Sequence, residues 1–281
     1  MLKILVVGAG TMGAGIAQVA AQAGYEVFLQ DITEQYVNKG KKNIASSLER
    51  MAKKGKLEPA QIAEITGRIQ GIVDLEQAKE ADFVIEAALE NLEVKEKIFR
   101  NLDQIVKPEA ILASNTSSLS ITALGAATKR PEKVIGMHFF NPPPIMKLVE
   151  VVKGVRTAPE TIAAVKQVAE KMNKKPIVVN ESPGFVVNRI LVPMINEAAY
   201  LLMEGVATKE EIDEGMKYGA SHPIGPLALA DLIGLDVCLA VMEILHEEFG
   251  EDKYRPCPLL RKMVRAGLLG RKTNKGFYSY E

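Results

Sequence analysis

The chain of 281 residues contains no tryptophan, two cysteines and three histidines. Two cysteines, Cys238 and Cys257, are too few for the clustered thiolates of a structural zinc site, and they fit a reduced cellular compartment. No stretch reaches the roughly 18 uninterrupted apolar residues that a membrane-spanning helix needs. Basic and acidic residues both total 35, so no excess charge attracts nucleic acid or an anionic membrane surface. The composition predicts a cytoplasmic protein without a metal, a nucleic-acid partner or a membrane anchor.

The first residues, MLKILVVGAGTMGAGIAQVAAQAG, are mostly small and apolar, and a signal peptide is one way to interpret them. Glycines interrupt the apolar run, however. A strand, a turn and a helix explain those glycines better than a signal peptide does.

Short runs rich in branched residues alternate with longer segments of helical period. The predicted strands are KILVV, EVFLQ, DFVIEA, AILAS, KVIGM, LVEVV and PIVVN. The run Ile4 to Val7 has no polar alternation, which is typical of parallel strands buried on both faces. This pattern predicts a doubly wound, mostly parallel α/β sheet.

The segment GAGTMG follows the first predicted strand and opens the first predicted helix. Glycines in this pattern permit a tight turn, close approach of a pyrophosphate and close packing of the helix, whose N-terminus attracts the anion. A glycine turn without a ligand is the alternative. We predict that the loop residues that contact a dinucleotide are Gly8, Gly10, Met12 and Gly13.

Asp31 ends the second predicted strand, where a carboxylate can accept hydrogen bonds from a ribose diol and repel a 2′-phosphate. This acid favours NAD over NADP. The Tyr-x-x-x-Lys pair of short-chain reductases occurs at none of the seven tyrosines. Since the zinc chemistry of alcohol dehydrogenases is also excluded, histidine is the expected group for proton transfer.

His138 closes the predicted strand KVIGMHF, at the edge of the sheet where α/β proteins bind ligands. Glu150 lies twelve residues downstream (150 − 138), and a turn at the prolines 142–144 could fold its strand back onto the imidazole. A carboxylate on one ring nitrogen fixes the tautomer and stabilises the imidazolium. A core histidine and a solvated edge-strand glutamate are the alternative interpretation. His222, in a loop, and His246, on a glutamate-rich helix face, are weaker candidates.

After residues 180–185, NESPGF, strand signals nearly vanish and the chain to residue 281 has helical periodicity. We therefore predict a Rossmann-type α/β domain over residues 1–183, with an inserted basic helical arm at about 39–68. An all-helical domain is predicted over 184–281. Thr208 and Glu211 form a capping-box pattern, and Gly205 and Gly219 are placed to end helices.

Five segments together resemble one known family: GAGTMGAGIA, ASNTSSLSI, GMHFFNPPPIMKLVEVV, ESPGFVVNRIL and GLLGRKTNKGFY. They are similar to the L-3-hydroxyacyl-CoA dehydrogenases, most closely to the bacterial 3-hydroxybutyryl-CoA members, and the resemblance covers the whole chain in family order. It implies an NAD-dependent oxidoreductase that interconverts 3-hydroxyacyl-CoA and 3-ketoacyl-CoA in fatty-acid or butanoate metabolism. The three-proline run is slightly more proline-rich than the usual family pattern, which could alter the acyl pocket.

The same resemblance assigns residues to roles. The catalytic histidine and glutamate fall on His138 and Glu150, and the substrate-contacting serine and asparagine fall on Ser117 and Asn188. Without the family, Ser117 and Asn188 are equally well interpreted as a turn residue and a helix-cap residue. The implied nicotinamide and ribose contacts are Glu90, Lys95, Asn115, Asn141 and Lys272.

Coenzyme A is highly anionic, and residues 39–56 hold seven basic residues and one acid. If this segment is helical, Asn43, Ser47, Arg50 and Lys54 form a polar stripe beside an apolar one. The resemblance places coenzyme A contacts on Ser47 and Lys54, and Arg50 lies on the same stripe. A solvated basic face is the alternative.

The resemblance also implies a homodimer that forms through the C-terminal domain. A monomer with a helical core would show the same apolar content, so both states stay open. Two other functions are weighed against acyl-CoA chemistry. One is a dehydrogenase of a free hydroxy acid, since relatives of this architecture oxidise gulonate. The other is a non-catalytic protein, as in the lens crystallin relatives of this scaffold.

Overall fold

The computed structural model describes residues 2–280. The chain divides after Glu181 into a first unit and a second unit that begins at Ser182. Each unit has its own hydrophobic core.

The first unit is built on a sheet whose strands, within the described residues, number eight. They are β1 (Lys3–Val7), β2 (Glu26–Gln30), β3 (Ile69–Ile72), β4 (Phe83–Glu86), β5 (Ile111–Ser114), β6 (Val134–Phe139), β7 (Leu148–Lys153) and β8 (Lys175–Asn180). The strand order is β3-β2-β1-β4-β5-β6-β7-β8. This doubly wound, mostly parallel arrangement confirms the predicted fold class.

One neighbour pair in the sheet is antiparallel. Strands β1 to β6 run parallel to each other, β7 runs antiparallel to β6, and β8 runs parallel to β7. The direction changes at the short turn that carries the three prolines. Antiparallel neighbours can be joined by a short turn, whereas parallel neighbours need a longer crossover.

Helices connect the strands and pack against this sheet. They are α1 (Thr11–Gln22), α2 (Glu34–Lys53), α3 (Pro59–Gly67), α4 (Leu92–Ile105), α5 (Ile121–Ala126) and α6 (Pro159–Lys171). The long basic helix α2 begins after the cap Thr33, whose side chain accepts a hydrogen bond from the backbone N–H of Tyr36. It buries Ile44 and Leu48 and leaves its cations exposed, as its amphipathic pattern predicts.

The second unit is helical, as the fading of strand signals predicts. Its helices are α7 (Val187–Met203), α8 (Lys209–Glu214), α9 (Pro226–Ile233), α10 (Leu235–Phe249) and α11 (Pro258–Arg265). The predicted capping box forms at the start of α8, where Thr208 and Glu211 each accept a backbone hydrogen bond from the other. Within residues 2–280, no helix is long and apolar enough to cross a membrane.

Strand β3 is the element that the sequence did not predict. Its four residues, Ile-Gln-Gly-Ile, are few and include a glycine, which disfavours a strand. The side chain of Val37 on α2 packs over Gly71, where a Cβ would lie 2.4 Å from Val37 Cγ1. The close approach of the basic helix therefore accounts for a glycine inside this strand.

Candidate active site

The glycine-rich loop connects β1 to α1, as predicted. Gly8 adopts a φ of +99°, and a Cβ at Gly13 would lie 1.7 Å from the carbonyl oxygen of Gly8. No side chain fits at Gly13 without moving the loop. At Gly10, by contrast, a Cβ would meet no atom within 4 Å. The backbone at Gly10 therefore borders open space, which is what an approaching pyrophosphate requires, and Met12 lies half-buried beside it in the first turn of α1.

Asp31 lies immediately after β2, beside this loop. One of its carboxylate oxygens accepts a hydrogen bond of 2.8 Å from the backbone N–H of Ala9, and the other accepts one of 2.7 Å from the N–H of Ile32. The carboxylate is thus held at the carboxyl end of the sheet next to the glycine loop. This is the place where a ribose diol is recognised in doubly wound folds, so the residues present fit a dinucleotide.

His138 and Glu150 are directly paired across the antiparallel strands β6 and β7. Nδ1 of His138 lies 2.8 Å from Oε2 of Glu150. The histidine is 6 % exposed and the glutamate is fully buried. The ring of Phe140 tilts against the imidazole, with a centroid distance of 4.6 Å. The carboxylate therefore engages one ring nitrogen, and the other nitrogen, Nε2, is the atom that can exchange a proton with a substrate.

Asn115 and Asn141 flank the strand that carries His138. The backbone N–H of Asn115 donates to the carbonyl oxygen of Glu86, and its side-chain oxygen accepts a hydrogen bond of 2.9 Å from the N–H of Phe139. Asn141 is exposed just beyond β6. Asn115 thus ties the segment after β5 to the end of β6.

A buried ionic network lies at the ends of β4 and β5. Lys95 of α4 is 1 % exposed, and its ammonium lies 2.6 Å from Oε1 of the fully buried Glu86 and 3.3 Å from Oε2 of Glu90. Ser114 donates a hydrogen bond of 2.6 Å to the other oxygen of Glu86. One ammonium thus serves two carboxylates, the fully buried Glu86 and the partly exposed Glu90, which offsets part of the cost of burying these charges.

Ser117 is connected to this network through Glu90. One oxygen of Glu90 accepts hydrogen bonds of 2.8 Å from the backbone N–H of Ser117 and 2.5 Å from the hydroxyl of Thr116. The hydroxyl of Ser117 lies 3.3 Å from the same oxygen. Glu90, Lys95 and Ser117 therefore form one connected group.

A cleft of about 560 Å³ opens between α1, α2 and the proline turn. Its volume is within the range of small-molecule sites. The lining residues include Ser47 and Arg50 of α2, Lys54, and two cations that the sequence analysis did not single out, Lys56 and Lys147. The described lining contains no carboxylate. The cleft therefore favours an anionic ligand.

Two of the predicted residues, Asn188 and Lys272, lie in the second unit. Asn188 is half-buried in the first turn of α7. The ammonium of Lys272 forms an ion pair with Asp236, in the first turn of α10.

Sequence reasoning missed Glu86 and Thr116, which hold Lys95 and Glu90 in place. The one available signal was a carboxylate that closes the apolar strand Phe83–Glu86 at the ligand-binding edge of the sheet. Within residues 2–280, no cluster of histidine, cysteine and acidic side chains is arranged to hold a metal ion. The described groups include an imidazole paired with a carboxylate, an arrangement suited to proton transfer, and a glycine loop whose residues fit a dinucleotide.

Two family models match consecutive parts of the chain. The 3-hydroxyacyl-CoA dehydrogenase NAD-binding domain matches residues 3–182, and the 3-hydroxyacyl-CoA dehydrogenase C-terminal domain matches residues 184–280. The two matches meet near the division between the two units.

Individual proteins agree with the family models. A probable 3-hydroxybutyryl-CoA dehydrogenase of Deinococcus radiodurans is 55 % identical over 99 % of this chain and 100 % of its own length. The 3-hydroxybutyryl-CoA dehydrogenase of Clostridioides difficile is 52 % identical over 99 % of both chains. The crystal structure of (S)-3-hydroxybutyryl-CoA dehydrogenase from Ralstonia eutropha superposes with a TM-score of 0.96, at 55 % identity and 99 % coverage of both chains. The chain therefore belongs to the 3-hydroxyacyl-CoA dehydrogenase family of oxidoreductases.

Proposed function

We propose that the protein interconverts (S)-3-hydroxybutyryl-CoA and acetoacetyl-CoA with NAD as the hydride carrier, as part of fatty-acid or butanoate metabolism. The observation that carries this proposal is the 2.8 Å contact between His138 and Glu150 in a chain of this family. When bound, NAD would supply the hydride acceptor for oxidation at C3 of the hydroxyacyl group, and NADH the hydride donor for reduction of the ketone.

His138 acts as the general base in oxidation. Nε2 removes the proton of the 3-hydroxyl group as hydride leaves C3, and in reduction the imidazolium returns that proton to the ketone oxygen. The two directions need opposite protonation states of the same nitrogen, so the ring must be able to hold and release one proton.

Glu150 assists this proton transfer by binding the other ring nitrogen of His138, Nδ1. Its carboxylate keeps the proton of the neutral imidazole on Nδ1, which leaves Nε2 as the acceptor. It also stabilises the positive charge that forms on the ring during oxidation. Because Glu150 is fully buried, water weakens this interaction little.

Ser117 and Asn188 supply hydrogen bonds to the reacting oxygen or to the thioester carbonyl, and so orient C3 of the substrate. The connection of Ser117 to Glu90 supports this role because it fixes the serine backbone within the first unit. The dinucleotide is bound by the glycine loop and the acid after β2, through Gly8, Gly10, Met12, Gly13 and Asp31. Its nicotinamide half is bound by Glu90, Lys95, Asn115, Asn141 and Lys272.

The cationic cleft binds the coenzyme A portion of the substrate through Ser47, Arg50 and Lys54. All three line the cleft, and its lining carries no opposing carboxylate among the described residues. Phosphate groups are recognised by this combination of cations and hydroxyl donors.

We also propose a homodimer that forms through the second unit, in the cytoplasm. Its exposed apolar side chains include Ile190, Val206, Tyr218 and Leu232, at 69 %, 65 %, 79 % and 52 % exposure. Exposed apolar residues of this size are favoured where a partner covers them. Light scattering after gel filtration tests the proposal, and a monomer mass at micromolar concentration would contradict it.

The activity is tested by initial rates of NADH oxidation with acetoacetyl-CoA, with NADPH and free acetoacetate as comparisons. We expect rapid oxidation of NADH with the thioester, slower oxidation of NADPH and little activity with the free acid. Activity with free acetoacetate alone would favour a hydroxy-acid dehydrogenase. A folded protein that binds NADH but turns over neither substrate would favour a non-catalytic protein.

A further inference from the structure

The turn between β6 and β7 forms one wall of the cationic cleft. Pro142 to Ile145 line the cleft, and the carbonyl oxygen of Pro142 accepts hydrogen bonds of 3.0 Å from the backbone N–H groups of Ile145 and Met146. This turn follows the strand of His138 and precedes the strand of Glu150. Its position therefore affects the shape of the cleft directly.

Lys174 binds this turn through hydrogen bonds to its backbone carbonyl groups. The residue follows α6 and is 8 % exposed. Its ammonium donates hydrogen bonds to the carbonyl oxygens of Pro143 and Met146, the second at 2.9 Å. Among residues 2–280, no carboxylate forms an ion pair with Lys174. Burial lowers the pKa of the amine. This lysine is therefore a buried cation whose described polar partners are two carbonyl groups of one turn.

A second contact, with α1, also limits the position of the turn. The ring of Pro143 packs against α1 at Gly15, where a Cβ would lie 2.8 Å from Pro143 Cδ. Pro143 is buried, whereas Pro142 and Ile145 are exposed. The turn is consequently fixed between a helix backbone that it touches closely and an ammonium that binds two of its carbonyl groups.

The burial of Lys174 is costly for stability. An ammonium that loses water and gains only neutral acceptors is less favourable than an apolar side chain of the same shape. The ammonium instead fixes the conformation of the turn. It binds the carbonyl oxygens of two residues that are three positions apart, and so restrains the backbone between them. The adjacent Lys175, on the first position of β8, is exposed and makes no such contact among the described residues.

We propose that Lys174 is a positioning residue for acyl-CoA binding, which sets the proline wall of the cleft by holding the carbonyl groups of Pro143 and Met146. The proposal rests on the proposed function, since it assigns the cleft to the coenzyme A portion of the substrate. Lys174 acts through the turn, and the substrate touches the turn.

The test compares Lys174→Met with the control Lys175→Met, using acetoacetyl-CoA and a short acetoacetyl thioester of N-acetylcysteamine that lacks the nucleotide and most of the pantetheine. We expect Lys174→Met to raise KM for acetoacetyl-CoA by about tenfold, since it removes two hydrogen bonds that shape the wall. The kcat value, the KM for NADH and the kcat/KM for the short thioester stay within about twofold of the wild type. Lys175→Met leaves all four quantities unchanged.

A role confined to folding would give a different result. It would lower kcat/KM for both thioesters equally, and that outcome overturns the proposal, as does an unchanged KM for acetoacetyl-CoA. If Lys174→Met does not fold, Lys174→Gln retains an uncharged donor and should show the same selective loss, with a smaller amplitude. A wild-type protein that is inactive with acetoacetyl-CoA refutes the proposed function and this proposal together. An active wild type with an unaffected Lys174→Met variant refutes this proposal alone.

Discussion

Nδ1 of His138 lies 2.8 Å from Oε2 of Glu150 because the two residues occupy directly opposite positions on antiparallel strands. Side chains alternate between the faces of a sheet, so a shift of one residue in either strand would send the glutamate to the opposite face. The four residue pairs that join β6 to β7, from Gly136–Val152 to Phe139–Val149, fix this register. The geometry of the pair therefore depends on the pairing of the two strands as well as on the two side chains.

Replacement of His138 or Glu150 should separate catalysis from binding. We expect His138→Gln to lower kcat for acetoacetyl-CoA reduction by about 10²–10⁴-fold, because an amide cannot transfer the proton. Glu150→Gln should lower kcat by about 10- to 100-fold, since the imidazolium loses its counter-charge. The Kd for NADH stays near the wild-type value in both variants. His246→Gln, on α10, is the matched control, and equal rates for wild type and His138→Gln would remove this histidine from the mechanism.

Substitution by alanine should affect the Tm and the Kd for NADH differently at two glycines of the loop. In Gly13→Ala the new methyl group collides with the carbonyl oxygen of Gly8, so we expect a lower Tm and loss of NADH binding. In Gly10→Ala the methyl group enters open space, so the Tm should stay unchanged while the Kd for NADH rises by about tenfold or more. Calorimetry and NADH fluorescence measure the two effects. Normal NADH affinity in Gly10→Ala would argue against a pyrophosphate at this loop.

Asp31 should determine the choice between the two nicotinamide cofactors. Asp31→Asn retains an oxygen that can accept the hydrogen bond from Ala9, but it loses the charge that repels a 2′-phosphate. We expect the ratio of kcat/KM for NADPH to that for NADH to rise by about tenfold. Asp74→Asn, at an exposed acid after β3, is the control and should leave the ratio unchanged. An unchanged ratio in Asp31→Asn would indicate that another group selects the cofactor.

The buried ion pair between Glu86 and Lys95 should be important for stability. Lys95→Met leaves the fully buried carboxylate of Glu86 without a counter-charge, and we expect a loss of about 3–5 kcal/mol in the free energy of unfolding. The double variant Glu86→Gln/Lys95→Met removes both charges and should be more stable than Lys95→Met. Lys97→Met, at an exposed position of the same helix, is the control. A double variant that is no more stable than Lys95→Met in chemical denaturation would contradict this prediction.

The cysteines should be unreactive in the folded protein. Burial raises the pKa of the Cys238 thiol to about 12 and also raises the pKa of Cys257. At about pH 8 both thiols are neutral and shielded, so a disulfide reagent should label neither until the chain is unfolded. Because the folded-state pKa of Cys238 exceeds its ordinary value of 9.0, its contribution to stability is complete below that pH and decreases as the pH rises toward about 12. Rapid labelling of the native chain would contradict this.

Much of the first unit could be predicted because its signals are local. A few neighbouring residues are enough to predict each apolar strand, the glycine loop and the position of Asp31 at a strand end. Strand β3 could not be predicted, because Gly71 and Gln70 disfavour a strand and its support comes from the packing of Val37 on a distant helix. Tertiary packing overrode local propensity there.

The contacts around the candidate site show the same limit. The spacing of His138 and Glu150 allowed a contact only if the proline segment reversed the chain, and the sequence alone could not decide that. Nothing in the local sequence marks Lys95 or Lys174 as buried, yet the fold buries both. Their partners lie on other elements, or 28 and 31 residues away in the case of Lys174. Periodicity carries no information about such contacts.

The reversal of direction between β6 and β7 has an evolutionary consequence. It places His138 and Glu150 in one hairpin, 12 residues apart, while the glycine loop and Asp31 follow β1 and β2, in the other half of the sheet. Each module is encoded by a short, separate stretch of the gene. Substitutions in the hairpin that leave the contact of Pro143 with Gly15 intact can therefore accumulate without moving the glycine loop.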